Sequence, residues 1–380
     1  MPVEVIIKAA FILFIVVCAF TPIITWVERK QSAVMQDRIG ANRADIAGIT
    51  IIGLFHPLAD ALKLMIKEDV VPRGANRVMH LVAPMIGALP AIIACAVIPF
   101  GGIYTFGEKT ISLVAANPDW GLLYIFAIGS LATYGAVMAG WASNNNWSLL
   151  GGLRASAQMI SYEVTMGLSV VGIFMVFSTL QLQDMVLAQD GTLRVFGFVE
   201  TLLGIPTPWL DWARLPAWGI VYQPLGFVLF LTCVIAESKR PPFDLPEAES
   251  EIVAGYFLEY SGMRFGLFYM SEFIEIVVIA GLVSTIFLGG WAVPYLSQET
   301  IIGGVAPVLG EGFATGVCIL LHFSSFMVKT VAMIWLQMTL RWTLPRFRYD
   351  QVMDLCWKAI LPLSIVNIFV TGLVILLVRS

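Results

Sequence analysis

Glu237-Ser-Lys-Arg-Pro-Pro-Phe-Asp244-Leu-Pro-Glu247-Ala-Glu249-Ser-Glu251 is the stretch on which the reading of the whole chain turns. It lies between two long apolar runs, about 218–237 and 264–290, and Glu259 comes soon after it. Six acidic side chains thus crowd between two segments greasy enough to cross a bilayer. A carboxylate beside hydrocarbon is costly and readily takes up a proton, which makes such a cluster a candidate proton carrier. A solvated loop is the plain alternative. Against it, Phe243, Leu245, Ile252, Val253, Tyr256 and Phe257 alternate with the charges, and a merely solvated loop does not need them. The expectation is a folded loop packed into a cavity. Pro241 and Pro242 block a helix, Asp244 can cap the next turn, and Glu247, Glu251 and Glu259 are expected on one helical face.

Working outward, the same alternation of apolar run and charged island fills the chain. Of 380 residues, 58% are hydrophobic and 13% charged, with a mean hydropathy of +0.85. A bilayer span needs about 20 apolar residues. Eight candidates stand out, roughly 3–26, 78–100, 119–141, 156–183, 218–237, 264–290, 312–339 and 357–378. These are continuous runs, not ten-residue alternations, which excludes a β-barrel. The fold class expected is an all-α polytopic membrane protein, one transmembrane domain over residues 1–380. The first run is too long for a signal-peptide core and reads as a retained helix.

Orientation follows from the basic residues. Segments 28–77, 141–155, 238–264 and 340–358 hold sixteen of the 22 lysines and arginines, and the opposite side holds five. The four basic segments are therefore expected in the cytoplasm of a bacterial inner membrane, with both termini periplasmic. Within the first, apolar residues recur at helical spacing from Ile46 to Val70, with Asp60, Lys63 and Lys67 on one face. This predicts an amphipathic helix against the membrane surface, a short buried helix being the alternative. The external stretch 184–217 carries Trp209 and Trp212, with Trp218 just after it, for the interface belt.

Composition also excludes chemistries. The five cysteines form no CxxC pair, so metal or iron–sulfur ligation is not expected. Three histidines are thin for intramembrane haem. A net charge of −4 argues against nucleic acid.

Charged residues inside the apolar runs are the other candidates. Glu163 lies about eight residues into the fourth run, where an isolated carboxyl faces the bundle interior or water; a bond to a neighbouring Ser or Tyr is the structural alternative. Glu272 and Glu275, three residues apart, share a face and titrate as a coupled pair. Lys329 lies twelve residues before Arg341, deep enough to need a partner, and those two glutamates are the expected ones.

Together these segments resemble the complex I subunit 1 family, known in bacteria as the H subunit of NADH:quinone oxidoreductase. The resemblance is carried by Glu28-Arg29-Lys30, Arg38-Ile-Gly-Ala-Asn42, Pro57-Leu-Ala-Asp60-Ala-Leu-Lys63, Ser161-Tyr-Glu163, Arg240-Pro-Pro-Phe-Asp-Leu-Pro-Glu-Ala-Glu-Ser-Glu251 and Pro345-Arg-Phe-Arg-Tyr-Asp-Gln351. It implies an eight-helix subunit that forms much of a quinone chamber and the start of a buried charged path. It implies peripheral iron–sulfur subunits at the cytoplasmic face, small membrane subunits and antiporter-like subunits as partners. Quinone is then the substrate, and the iron–sulfur clusters and FMN sit in partner subunits, with no cofactor bound by this chain. By the same resemblance Arg29, Asp60, Glu237, Arg240, Glu247, Glu249, Glu251, Arg341 and Arg346 map onto the chamber and its acidic exit. Glu163, Glu259, Glu272 and Lys329 map onto the path into the membrane. His56, Ala41 and Pro242 depart from or vary within the family pattern, Glu275 has no counterpart carried over, and 184–217 looks long. The alternatives are a quinone-independent subunit of a membrane-bound hydrogenase or formate hydrogenlyase, and a stand-alone proton or cation antiporter. The last predicts an internal repeat with broken helices, which the sequence lacks.

Overall fold

The apolar runs become helices because each must satisfy its backbone polar groups internally, and local signals set where each begins. In the computed structural model α1 (Thr21–Met35) and α2 (His56–Ile66) open on prolines, at Pro22 and Pro57, where a missing N–H costs nothing. Helix α3 (Arg77–Ala94) is capped by the Asn76 side chain, which accepts from the Val78 and Met79 amides. A hairpin of β1 (Ile103–Phe106) and β2 (Lys109–Ser112) comes next, antiparallel with Ile103 opposite Ser112. Helices α4 (Gly121–Gly129) and α5 (Leu131–Ala142) form one nearly continuous rod, and α6 (Asn146–Phe177) returns after a short turn capped by Asn145. Then come α7 (Leu182–Ala188), a second antiparallel pair of β3 (Thr192–Arg194) and β4 (Arg214–Pro216), and α8 (Gly219–Tyr222) with α9 (Pro224–Glu237). The chain finishes with α10 (Gly262–Phe287), α11 (Gln298–Leu309), α12 (Glu311–Thr343), α13 (Tyr349–Asp354) and α14 (Leu361–Arg379).

The structure describes residues 19–106, 109–194, 214–246 and 253–379, with Lys8, Ala10, Phe11 and Phe14 before them. Glu247, Glu249 and Glu251, and with them Trp209 and Trp212, lie outside the described residues.

Among the described residues, six helical segments are long and apolar enough to cross a membrane: Arg77–Val97, Gly121–Ala142, Asn146–Phe177, Gly262–Phe287, Glu311–Thr343 and Tyr349–Leu377. Pro224–Glu237 is a shorter apolar helix. The chain is thus a mostly helical, multi-pass membrane protein. Helix α10 is its axis: 89% of its apolar stretch is buried inside the protein, against 22–44% for the other five. Those five leave one face uncovered by the rest of the chain.

Without water to drive helices together, close approach depends on small residues. A methyl group on Gly135 of α5 would stand 2.7 Å from the Gly87 amide nitrogen of α3. One on Gly151 of α6 would stand 2.5 Å from the Gly255 Cα, in the 3-10 turn Gly255–Phe257 just beyond the acidic stretch. The acidic loop is therefore clamped onto α6 by a glycine-to-glycine contact.

Several boundaries differ from the sequence reading. Helix α1 runs to Met35, not Trp26, so Glu28 and Arg29 stand on a helix and not in a loop. Helix α6 starts at Asn146, so the segment 141–155 shrinks to a turn at Ser143–Asn145 with Arg154 on the helix. The amphipathic helix is real but short, His56–Ile66, because residues 46–55 form turns before Pro57. None of its side chains is buried within this chain, and Leu58, Leu62, Met65 and Ile66 are exposed. Finally, Glu259 does not continue a helix from Glu247: residues 253–260 are turns and the 3-10 segment, and the next α-helix begins only at Gly262.

Candidate functional site

The basic segments meet at one end of the bundle, and a single carboxylate holds them together there. Glu28, on the buried face of α1 with Ile24 and Ser32, is 7% exposed. Arg240 donates to its Oε2 at 2.7 Å, and Arg341, from the last turn of α12, bonds its other oxygen. On its far side the Arg240 guanidinium stands 3.9 Å from Glu272 Oε2 and lies over the Phe273 ring at 4.2 Å. Burial works against the Arg240 charge, yet Glu28 and Glu272 outweigh it and hold the pKa above the usual value. The result is a chain of alternating charge, Arg341–Glu28–Arg240–Glu272, running from the bundle end to its central helix.

Glu28 and Arg341 also line a polar cleft of about 480 Å³, together with Arg29, Arg38, His56 and Trp342. Arg29 forms an ion pair with Asp60 of α2, and Lys63 lies 3.5 Å from the same carboxylate. The amphipathic helix is thus fastened to the rim of the cleft by charge.

The acidic loop packs under this junction. Phe243 and Leu245 are buried, as are Tyr256 and Phe257, while Val253 is exposed. Gln158 of α6 donates to the Ala236 and Phe243 carbonyls at 2.6 and 2.8 Å, tying the end of α9 to the loop. Arg346 reaches Asp244 at 2.5 Å, and the Phe347 amide bonds the Pro242 carbonyl at 3.1 Å. The Pro345–Asp350 segment and the loop are therefore one structural unit.

A second group lies deeper. Glu237, the last residue of α9, is close enough to Glu275 and to Glu163 for its charge to interact with each of theirs. Glu163 is bonded to neither adjacent polar side chain: the Ser161 hydroxyl bonds the Ala157 carbonyl and the Tyr162 hydroxyl the Val352 carbonyl. Lys239, 7% exposed, comes within 3.9 Å of Glu275. The adjacent cations Lys239 and Arg240 thus each reach one of the two glutamates that stand three residues apart on α10.

Two expected path residues lie elsewhere. Glu259 receives a hydrogen bond from Asn145 Nδ2 at 2.7 Å, and its carbonyl faces His80 Nε2 at 3.3 Å. Lys329 does not pair with Glu272 or Glu275. Its ammonium donates to the Gly290 and Ala292 carbonyls at 2.9 and 2.7 Å and stands 4.9 Å from the Trp218 ring. The reason is position: it meets the turn after α10, where carbonyls without helical partners collect. Asp190, beside that turn, is pushed above the usual carboxyl pKa by burial and pulled back by Lys329.

Glu28, Lys239, Gln158 and Asn145 are the residues that sequence reasoning passed over as individual participants. Glu28 was within reach of it: Thr21, Ile24, Glu28 and Ser32 recur at helical spacing, and extending the first run by three turns puts the glutamate on the buried face. Gln158 and Asn145 carry no such signal, since a polar residue in an apolar run does not say which carbonyl or carboxylate it meets. Among the described residues, no three His, Cys, Asp or Glu side chains are grouped to share a metal ion.

Comparison with known proteins places this arrangement. Residues 7–372 match the model of the family described as NADH dehydrogenase. An H subunit of the NADH-quinone oxidoreductase of Cytophaga hutchinsonii is 40% identical over 98% of this chain and 96% of its own length. Its counterpart from Geobacter metallireducens is 42% identical over 96% and 95% of the two chains. The NADH-quinone oxidoreductase H subunit of Thermomicrobium roseum is 42% identical over 96% and 94%. A match that runs nearly end to end, on a chain whose basic, acidic and apolar segments meet as described, establishes that the protein belongs to the NADH dehydrogenase family of membrane subunits.

Proposed function

We propose that this chain, as the H subunit of an NADH:quinone oxidoreductase, forms the membrane wall of the quinone chamber and passes the charge change of quinone reduction to buried carboxylates. The observation that carries the reading is the position of Glu28. It lines the polar cleft and at the same time bonds Arg240, which faces Glu272 on the buried central helix. A change of charge in the cleft is therefore felt one residue further in, and again at Glu272, in a low-dielectric setting where such interactions are strong. Electrons reach quinone from an iron–sulfur cluster in a peripheral partner, so this chain supplies binding, orientation and proton-exchanging groups. The acidic loop with Glu247, Glu249 and Glu251 completes the exit, and Glu237 and Glu163 lead onward to antiporter-like partners by coupled titration.

The topology belongs to the same reading. A first span ending in α1, and α8 with α9 acting as another, bring the six long segments to eight. The basic end then faces the cytoplasm of a bacterial inner membrane, and both termini face the periplasm.

The test is substitution of Glu163 or Glu247 by Gln in the intact complex, compared at equal NADH oxidation by an artificial acceptor, which measures assembled enzyme. Loss of proton translocation driven by quinone reduction is the expected result. Normal translocation in both variants removes the acidic path. A quinone-site inhibitor that protects Arg29 and Arg341 from an arginine reagent supports the chamber, and lack of protection counts against it.

A further inference from the structure

Glu237 and Glu275 face one small cavity between α3, the α4–α5 rod, α9 and α10, with Met166 of α6 at its wall. Its volume is about 50 Å³, and its remaining lining is apolar, with Pro90, Ala91, Ala132, Met166, Val278 and Leu282 among it. A single water needs roughly 10–15 Å³ of such space. Among the described residues no side chain or backbone group donates a hydrogen bond to either carboxylate. Lys239 comes nearest, at 3.9 Å from Glu275 Oε2, which is too long for a direct bond and suited to one through water. Leaving two carboxylates inside a bundle without donors is costly, and a water with several polar partners relieves that cost.

Lys239 adds an independent sign. Its backbone is left-handed, with φ 56°, at the position just past a helix end where glycine or asparagine is the usual occupant. The lysine there turns its side chain inward, 7% exposed, which sets its ammonium beside Glu275.

We propose that Glu275 is a further proton-exchanging residue of the buried path, joined to Glu237 by water held in this cavity, with Lys239 beside Glu275 to balance its charge. The proposal rests on the quinone-coupled reading above and adds a residue to it. The step is a simple hop. The Glu275 carboxyl gives its proton to the water, and that water gives one of its own to the Glu237 carboxylate, leaving the water neutral. The charged groups that bear on the pair are Lys239 and Arg240 on Glu275, and Lys239, Glu163 and Glu275 on Glu237. The arrangement gives the inner end of the path two branches. Arg240 serves Glu28 and Glu272, and Lys239 serves Glu275 and Glu237.

The test uses the intact complex in proteoliposomes, with rates taken at equal artificial-acceptor activity. Glu275→Gln is expected to lower quinone-coupled proton translocation about a hundredfold, the low end of the range for loss of a positioned proton-transfer group. Glu275→Asp, which keeps the carboxyl at the cavity, is expected to retain most of the rate. The charge-neutral double variant Glu275→Gln/Lys239→Met separates the roles. If Glu275 only neutralises Lys239, the double variant regains the full rate and the proposal fails. If it carries protons, the double variant stays slow. Should Glu275→Gln not assemble, Ala132→Leu fills the cavity and leaves both carboxylates in place, and it is expected to slow translocation in the same way. A full rate there overturns the proposal. Glu237→Gln is the companion control. If it is impaired while Glu275→Gln is normal, only this inference falls; if both are normal, the path reading falls with it.

Discussion

The two ends of the bundle bury charge in opposite ways. At the basic end, cations meet carboxylates: Arg341 and Arg240 on Glu28, Arg240 facing Glu272, Lys239 near Glu275, Arg346 on Asp244. At the hairpin end, Lys329 is held by two backbone carbonyls and an aromatic face. Around it the bonds are neutral. The Tyr104 hydroxyl accepts from the Gly102 amide and lies 2.7 Å from His322 Nδ1. Gln189 bonds the Thr285 carbonyl and the Gly219 and Gly289 amides. The first kind of site changes state when one member gains or loses a proton. The second is held mainly by backbone carbonyls and an aromatic face, with Asp190 as a nearby carboxylate, and it reads as an anchor. Ion-paired charge and backbone-held charge are thus separated along the helix axis.

Breaking the Glu28 junction is expected to have the largest effect. Glu28→Ala leaves Arg240 and Arg341 without their shared acceptor, and losing one partner of a buried pair costs about 3–5 kcal/mol. Thermal unfolding of the purified complex in detergent should show early release of this subunit. The double variant Glu28→Ala/Arg240→Ala should recover part of that loss, as neither charge is then stranded.

Next comes the anchor. Lys329→Met keeps the length and removes two hydrogen bonds from a charged donor, worth about 1.5–3 kcal/mol each before the gain from not burying an ammonium. A lower unfolding temperature with coupled proton translocation preserved is the expected pattern. Lost translocation at normal stability would return Lys329 to the path and erase the contrast between the two ends.

Packing substitutions sharpen the comparison further. Gly135→Leu drives a side chain into the Gly87 backbone and is expected to cost about 1–3 kcal/mol through forced separation of α3 and α5. It reads out as stability alone. Arg346→Ala, whose side chain is 34% exposed, takes the arginine from an Asp244 carboxylate that is itself 5% exposed, and is expected to cost about 1–3 kcal/mol.

Much of this molecule was legible in its sequence because apolar length and charge scarcity are strong signals. The runs at 78–100, 264–290 and 312–339 return as helices within a few residues, and the aromatic residues between the loop carboxylates foretold burial of Phe243, Leu245, Tyr256 and Phe257. What failed was pairing. Spacing along α10 and α12 made Glu272 and Glu275 look like partners for Lys329. Those glutamates stand at the middle of α10 and Lys329 meets the turn after its end, so about half the helix separates them. Helix α6 begins at Asn146, well before its apolar run, so Glu163 lies further along the helix than along that run. Periodicity says which face a residue occupies. It does not say which of several helices stands opposite.

The central claim is that charge in the cleft and protonation of the buried carboxylates are one coupled equilibrium. Proton uptake or release on adding a quinone-site inhibitor to the intact complex, in weakly buffered detergent solution with a pH indicator, measures that coupling directly. The account predicts a reproducible fractional proton change in the wild-type complex that is lost in Glu237→Gln. No proton change on binding, or an equal change in the variant, would contradict it.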